Sequence, residues 1–295
     1  MDRIVSRRSV VGAMAGGAAV AAAGLSRFEG VSATGGASRQ KGKLMAQGTP
    51  AAEATPAAAL TVVLVHGAFA DASGWAGVIT RLQAAGINVI APANPLRGVS
   101  ADGAYIASVA NQVGGPVLLV GHSYGGCVIT VAGVSVPSAL GLVYVNAFAP
   151  DEGETLLDLA TTYHSPVGAA LRPAEYPTGP DTPPGHELYI DQSMFHDLFC
   201  ADLPAEQAAY MAVSQRPGAD IGFGEPVPAA AWKTLPSWFS IATADQTIGL
   251  EALQFFAERA GSITEEIDGA SHVSMISQPD AVANLIISAY NTVSS

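Results

Sequence analysis

The stretch Val117-Leu118-Leu119-Val120-Gly121-His122-Ser123-Tyr124-Gly125-Gly126 decides how this chain is read. Four apolar residues in a row, rich in valine, suit a strand buried on both faces, as in a parallel sheet. A G-x-S-x-G turn follows, and the residues from Tyr124 to about Val134 have a helical pattern. A serine on so tight a turn is lifted, hydroxyl outward, at the C-terminal edge of its strand. Gly121 and Gly125 are needed because a Cβ at either would clash across the turn. Gly126 lets the helix pack close to the sheet. The helix N-terminus offers free N–H groups and a positive dipole end to an anion. Ser123 is therefore the candidate nucleophile.

Outward from this point the chain alternates. Residues 60–65, 88–91, 116–120 and 140–146 read as strands, with helices over 73–85, 102–113 and 124–134 between them. The pattern breaks from 149 to about 230, a proline-rich span with short helical stretches. It resumes with strands at 237–243 and 263–267 and helices at 250–260 and 280–292. Repeated β-α-β alternation implies an α/β fold, with a mainly parallel sheet of about six strands and helices on both faces. The interruption reads as a small, mostly helical cap inserted at about 149–230.

A serine hydroxyl needs a base to take its proton. His272 lies in Gly269-Ala270-Ser271-His272, between the last strand and the last helix. That loop opens at the same sheet edge as Ser123. Asp245 follows the strand at 237–243 and completes the chain order Ser…Asp…His. Asp151, at the end of the fourth strand, is the rival acid, and Asp268 reads as a surface residue ending a strand. His66 and His122 read as structural, and His164, His186 and His196 as cap residues. Two N–H groups should face a developing oxyanion. Tyr124, next after the serine, supplies one, and Ala68 of His66-Gly67-Ala68-Phe69 the other.

With these residues in place the chain, over about 60–293, resembles the α/β-hydrolase superfamily. It looks most like the compact branch that holds plant methyl esterases and hydroxynitrile lyases. The resemblance rests on His66-Gly67-Ala68, Gly121-His122-Ser123-Tyr124-Gly125-Gly126 and the Asp245 and His272 loops. It implies a serine hydrolase but supplies no substrate; the residues themselves point to an acyl-enzyme on Ser123 with no cofactor, and the apolar side chains beside the catalytic loops to carboxylic esters of small, largely apolar molecules. The lyases of that branch carry a threonine after the first histidine and a lysine after the catalytic one. Gly67 and Val273 occupy those positions here, which favours the esterase over a lyase or a cofactor-free peroxidase. A non-catalytic small-molecule receptor on the same fold is the alternative from another class, and a lipase acting at oil–water interfaces is also open. Phe69, Val273 and Met275 are candidate pocket residues, and Met194, Phe195, Phe199 and Trp232 could line an entrance.

Composition bounds the rest. The net charge of -12 disfavours nucleic acid and anionic membranes as partners. The two cysteines, Cys127 and Cys200, form no metal-binding spacing. Cys127 falls in an apolar run and reads as a small buried residue rather than half of a disulfide. Ser6-Arg7-Arg8-Ser9 followed by a short Ala/Gly/Val run reads as a twin-arginine export signal over 1–33, which implies a periplasmic or extracellular protein. Small-x-small cleavage patterns fall at Ala21-Ala22-Ala23 and at Val31-Ser32-Ala33. Residues 34–59 read as a flexible linker, with the folded domain over 60–295.

Overall fold

The computed structural model describes residues 58–295. The export signal expected at 1–33 lies outside the described residues, as does the linker up to residue 57. Six strands form one parallel sheet: β1 (Thr61–Val65), β2 (Asn88–Ile90), β3 (Val117–His122), β4 (Ala139–Val145), β8 (Ser237–Ala242) and β9 (Ile263–Ile267). Their order across the sheet is β2-β1-β3-β4-β8-β9. β1, β3 and β8 are buried along their whole length, as their continuous apolar runs require. β9 is a charged edge, with Glu265 and Glu266 exposed, which discourages pairing with another chain.

The helices of the alternating part are α1 (Ala76–Ala84), α2 (Val99–Asn111), α3 (Tyr124–Ala132), α8 (Leu250–Arg259), α9 (Ser274–Ser277) and α10 (Pro279–Val293). The crossover from β1 to β2 runs one way across the sheet and every later crossover runs the other. Right-handed connections then put α1 on one face and α2, α3 and α8 on the opposite one. α10 packs beside α1, and α2 beside α3. α10 opens with Pro279 at its first turn and Asp280 behind it, both suited to a helix N-terminus. Its Val282, Ile286 and Ala289 recur at helical spacing and are buried. The order in which strands are added across the sheet reverses between β1 and β3. Their C-terminal ends flank a crevice, the place where open α/β sheets bind ligands.

Between β4 and β8 lies the cap. It holds α4 (Leu156–Thr162), α5 (Phe195–Phe199), α6 (Ala205–Val213) and α7 (Ile221–Gly224). It also holds a three-stranded antiparallel sheet, β5 (Leu171–Tyr176), β6 (Gly185–Ile190) and β7 (Gly218–Ala219), in the order β5-β6-β7. The helical pattern gave no sign of this sheet. Pro173 within β5 and the prolines and glycines between β5 and β6 mask the alternation that marks a hairpin. Cys127 and Cys200 are buried free thiols. Among the described residues no helix is long and apolar enough to cross a membrane, and no group of three or more His, Cys, Asp or Glu side chains could hold a metal ion.

Candidate active site

Ser123 stands alone between β3 and α3, with φ 54° and ψ −124°. That left-handed backbone is disfavoured for serine, by about 1–3 kcal/mol, and persists only where the surroundings impose it. Here they do. A Cβ on Gly121 would lie 2.4 Å from the Gly125 carbonyl oxygen, and one on Gly125 would lie 2.4 Å from that of Val65. The turn closes through Gly126 N–H, which donates to the Ser123 carbonyl at 2.9 Å. The serine is buried to 6% exposure and forms part of the wall of a cavity.

Asp245 and His272 arrive from the ends of β8 and β9. His272 Nδ1 donates to Asp245 Oδ2 at 2.7 Å, and both side chains are wholly buried. Asp245 Oδ1 accepts the N–H groups of Thr247 (2.7 Å) and Ile248 (2.9 Å). The carboxylate is thus fixed from both oxygens. His272 Nε2 is buried and has no hydrogen-bond partner among the described residues. The structure brings acid and base together and leaves the base's second nitrogen open, with no hydrogen bond to Ser123. In unliganded enzymes such contacts are often long and tighten only on substrate. Asp151 lies elsewhere, paired with Lys233, and Asp268 accepts from Thr243 at 3.2 Å on the surface.

The other two histidines of this sheet edge are held neutral. His66 Nε2 accepts the Asn94 N–H at 2.9 Å while Nδ1 donates to the Gly67 carbonyl at 2.8 Å, so the ring has no site for another proton. Burial pushes its pKa down. His122 is fully buried, donates from Nε2 to the His272 carbonyl at 3.0 Å, and lies 4.6 Å ring to ring from His272. Burial first, and the neighbouring His272 second, hold its pKa well below the usual histidine range. A positive charge forming on His272 therefore meets no second one beside it.

Ala68 and Tyr124 both border the cavity. Neither backbone N–H has an acceptor among the described residues. Gly67 brings the first loop against the elbow, since a Cβ there would lie 2.7 Å from that of Ser123. Tyr124 is anchored at its far end, its hydroxyl donating to the buried Asp102 carboxylate at 2.8 Å. Desolvation raises the pKa of that carboxylate.

The cavity encloses about 380 Å³ and is mainly apolar. Phe69 belongs to it, at φ 64°. Val273 and Met275 do not: both are fully buried, and Met275 packs on Gly74. An apolar residue beside a catalytic loop can point either way, and these two point into the core. Phe195 and Phe199 are fully buried too, with the Phe199 ring 5.2 Å from that of His272. Met194 is 38% exposed and outside the cavity. Trp232 donates to the Pro150 carbonyl at 2.9 Å and packs on Arg259, also outside. The sequence reading missed Leu156, Leu157, Ala160, Thr161 and His164, which line the cavity from α4 and its end. Their spacing fits one helix face, a signal that does not tell a cavity wall from plain core. Phe148, Val167, Leu171, Leu188 and Phe223 complete the apolar lining.

The cap is tied to both catalytic loops. Ser165 donates to the Thr247 carbonyl at 2.5 Å, and the Thr247 hydroxyl donates to the Leu198 carbonyl at 2.7 Å. Asp202 accepts both the N–H (3.0 Å) and the hydroxyl of Ser271, next to His272.

The model of the alpha/beta hydrolase family matches residues 62–285, which include the strand-to-helix turn at Ser123 and the Asp245 and His272 loops. The chain belongs to the α/β-hydrolase family. Within this family it is 36% identical over 110 residues to a carbendazim hydrolyzing esterase of Nocardioides sp. (strain SG-4G), covering 33% of this chain and 46% of that one. It is 27% identical over 171 residues to the putative chloroplastic methylesterase 11 of Arabidopsis thaliana, covering 52% of this chain and 43% of that one. The chain thus spans about half the length of these curated relatives. Among solved structures, polyneuridine aldehyde esterase superposes with a TM-score of 0.67 at 20% identity, covering 78% of this chain and 99% of the other. At that identity the likeness is one of fold.

Proposed function

We propose that this α/β-hydrolase is a serine esterase acting on small, largely apolar carboxylic esters. The observation that carries the reading is the buried His272, with Nδ1 held by Asp245 and Nε2 open at the sheet edge where Ser123 stands. With its proton on Nδ1, the imidazole presents a free lone pair at Nε2. That lone pair takes the Ser123 proton as the oxygen attacks the ester carbonyl. The carbonyl oxygen becomes an oxyanion, received by the N–H groups of Ala68 and Tyr124. The intermediate collapses, the C–O bond to the alcohol breaks, and His272 returns the proton to the leaving oxygen. Water then attacks the acyl-enzyme by the same route and frees the acid and Ser123. Asp245 holds the tautomer and offsets the imidazolium charge. A cavity of about 380 Å³ with mainly apolar walls suits an aryl or short-to-medium acyl group. The relatives, a carbendazim hydrolyzing esterase and a putative methylesterase, support the same class. Val273, uncharged and buried, gives a hydroxynitrile lyase nothing to hold cyanide with.

The test is hydrolysis of p-nitrophenyl esters across acyl lengths by the protein and by Ser123→Ala. Turnover should fall by about 10⁴- to 10⁶-fold in the variant. An inactive wild-type protein, or an active variant, would overturn the esterase reading.

A further inference from the structure

Asn146 follows β4 and takes no part in the chemistry described so far. It is fully buried, does not border the cavity, and holds a left-handed backbone at φ 43°. Its side chain spends its whole hydrogen-bonding capacity. Nδ2 donates to the His272 carbonyl at 3.0 Å and to Ser274 Oγ at 2.7 Å. Oδ1 accepts the Ala242 N–H at 3.0 Å and the Ser240 hydroxyl at 3.5 Å. Its own N–H donates to the Ser240 carbonyl at 3.1 Å. Ser240 and Ala242 belong to β8, the strand that delivers Asp245, and Asp245 N–H donates back to the Ala242 carbonyl at 3.3 Å. His272 and Ser274 belong to the loop that delivers the base. One amide therefore grips both supports of the acid–base pair.

An amide buried at such a point is costly unless every bond is made, and once made the bonds fix geometry more than they add stability. Backbone pairing joins the same two segments nearby, the Ala244 N–H donating to the Ala270 carbonyl at 3.0 Å and the Gly269 N–H to Thr243 Oγ1 at 2.8 Å, and Asn146 carries the tie from β8 on to His272 itself and to Ser274. The Asp245–His272 bond is made across that seam.

We propose that Asn146 is a positioning residue for the acid–base pair: by bridging β8 and the His272 loop it sets the spacing of Asp245 and His272. The inference rests on the serine-esterase reading. The titratable groups about the His272 ring are Asp245 on Nδ1 and His122 at 4.6 Å ring to ring, with Asp202 bonded to the adjacent Ser271. Asn146 carries no charge, so its removal acts on the imidazole through geometry.

Asn146→Gly is the clean deletion, because glycine takes a positive φ freely and the backbone is not forced to move. Rates are measured per active site titrated by the p-nitrophenol burst, which removes any misfolded fraction. We expect kcat to fall about 10- to 100-fold with KM within about threefold. The acidic limb of kcat/KM should move to lower pH, since a poorer contact with Asp245 stabilises the protonated imidazole less. The low-field proton resonance of His272 Nδ1–H should move upfield. Asn146→Ser keeps a polar atom in the site but cannot span both partners, and should give the same signature if the glycine variant does not fold. A folded variant with kcat per site within about threefold of wild type, an unmoved acidic limb and an unmoved resonance would overturn the proposal, even with a lower melting temperature. If the wild-type protein shows no Ser123-dependent turnover, the esterase reading fails and takes this inference with it.

Discussion

At the end of the parallel sheet the candidate chemistry is held by buried polar bonds, while the cap closes its half of the cavity mainly by apolar packing. Around Asp245 and His272 the polar connections are hydrogen bonds between buried groups, and each side chain is bonded to at least one neighbouring loop or strand. The cap offers Leu156, Val167, Leu171, Leu188 and Phe223 as walls, and its β5–β6 hairpin is half exposed. Its polar ties to the rest of the site are few, at Phe69, whose N–H donates to the Arg216 carbonyl at 2.8 Å, and at Thr247 and Ser271. The difference follows from what each part must do. A proton transfer fails when donor and acceptor are misplaced by a fraction of an ångström, whereas an apolar wall needs only volume and shape.

The sharpest way to break this contrast is Asp245→Asn. An amide keeps the size of the carboxylate but cannot favour the Nδ1–H tautomer or offset the imidazolium. We expect kcat to fall about 10³- to 10⁴-fold with KM little changed, measured on p-nitrophenyl esters. A loss below about tenfold would move the acid elsewhere and remove the polar clamp from the comparison. Asp151 would be next to test, although its ion pair with Lys233 occupies it.

A smaller effect is expected from pH. His66 and His122 are buried in the neutral form, so their folded pKa values lie below the ordinary 6.5. As pH falls below about 6.5 the unfolded chain takes up protons that the folded one refuses, so stability is lost on acidification. Each histidine contributes up to about 1.4 kcal/mol per pH unit in that window. Urea midpoints measured between pH 7 and 5 should fall steadily, and His66→Gln should remove up to half of this two-histidine slope. A flat profile would mean that one or both rings can be charged in the folded state, and that the sheet end is wetter than its burial indicates.

The same contrast explains what could be read from the sequence. The placement of Ser123, Asp245 and His272 after β3, β8 and β9 was legible because each follows a strand pattern, in one chain order. Gly121 and Gly125 were legible because a backbone that passes 2.4 Å from a Cβ position admits no other residue. β1, β3 and β4 were legible from their continuous apolar runs. The contacts of Asn146 were not, since they come from four partners on two distant segments and leave no local pattern. Val273 and Met275 sit in the right loop and point the wrong way, which sequence cannot show. The cavity wall on α4 has the same helical spacing as any buried face. The antiparallel sheet of the cap was hidden by Pro173 and the proline-rich turn that follows β5.

The mildest change tests the cap's side of the comparison. Leu156 opens α4, is 1% exposed and lines the cavity. Its helix keeps its N-cap without it, since Thr155 Oγ accepts the Asp158 N–H at 3.0 Å. Leu156→Ala should enlarge the cavity at a cost of about 2–3 kcal/mol in stability, the low end for a buried leucine because one side already faces empty space. Across a series of p-nitrophenyl esters the preferred acyl chain should lengthen by about two carbons, each added CH₂ recovering about 0.8 kcal/mol. On the shortest ester kcat should stay within about threefold of wild type, because volume has changed and alignment has not. A fall in kcat on every ester, approaching that of Asp245→Asn, would mean that the cap transmits position as well as shape. The route for such coupling is already visible. Ser165, nine residues after Leu156 and also at the cavity wall, donates to the carbonyl of Thr247, whose N–H holds Asp245. In that case the wall and the clamp would be one device, and acyl-chain selectivity would be exerted on the rate of proton transfer and not on binding.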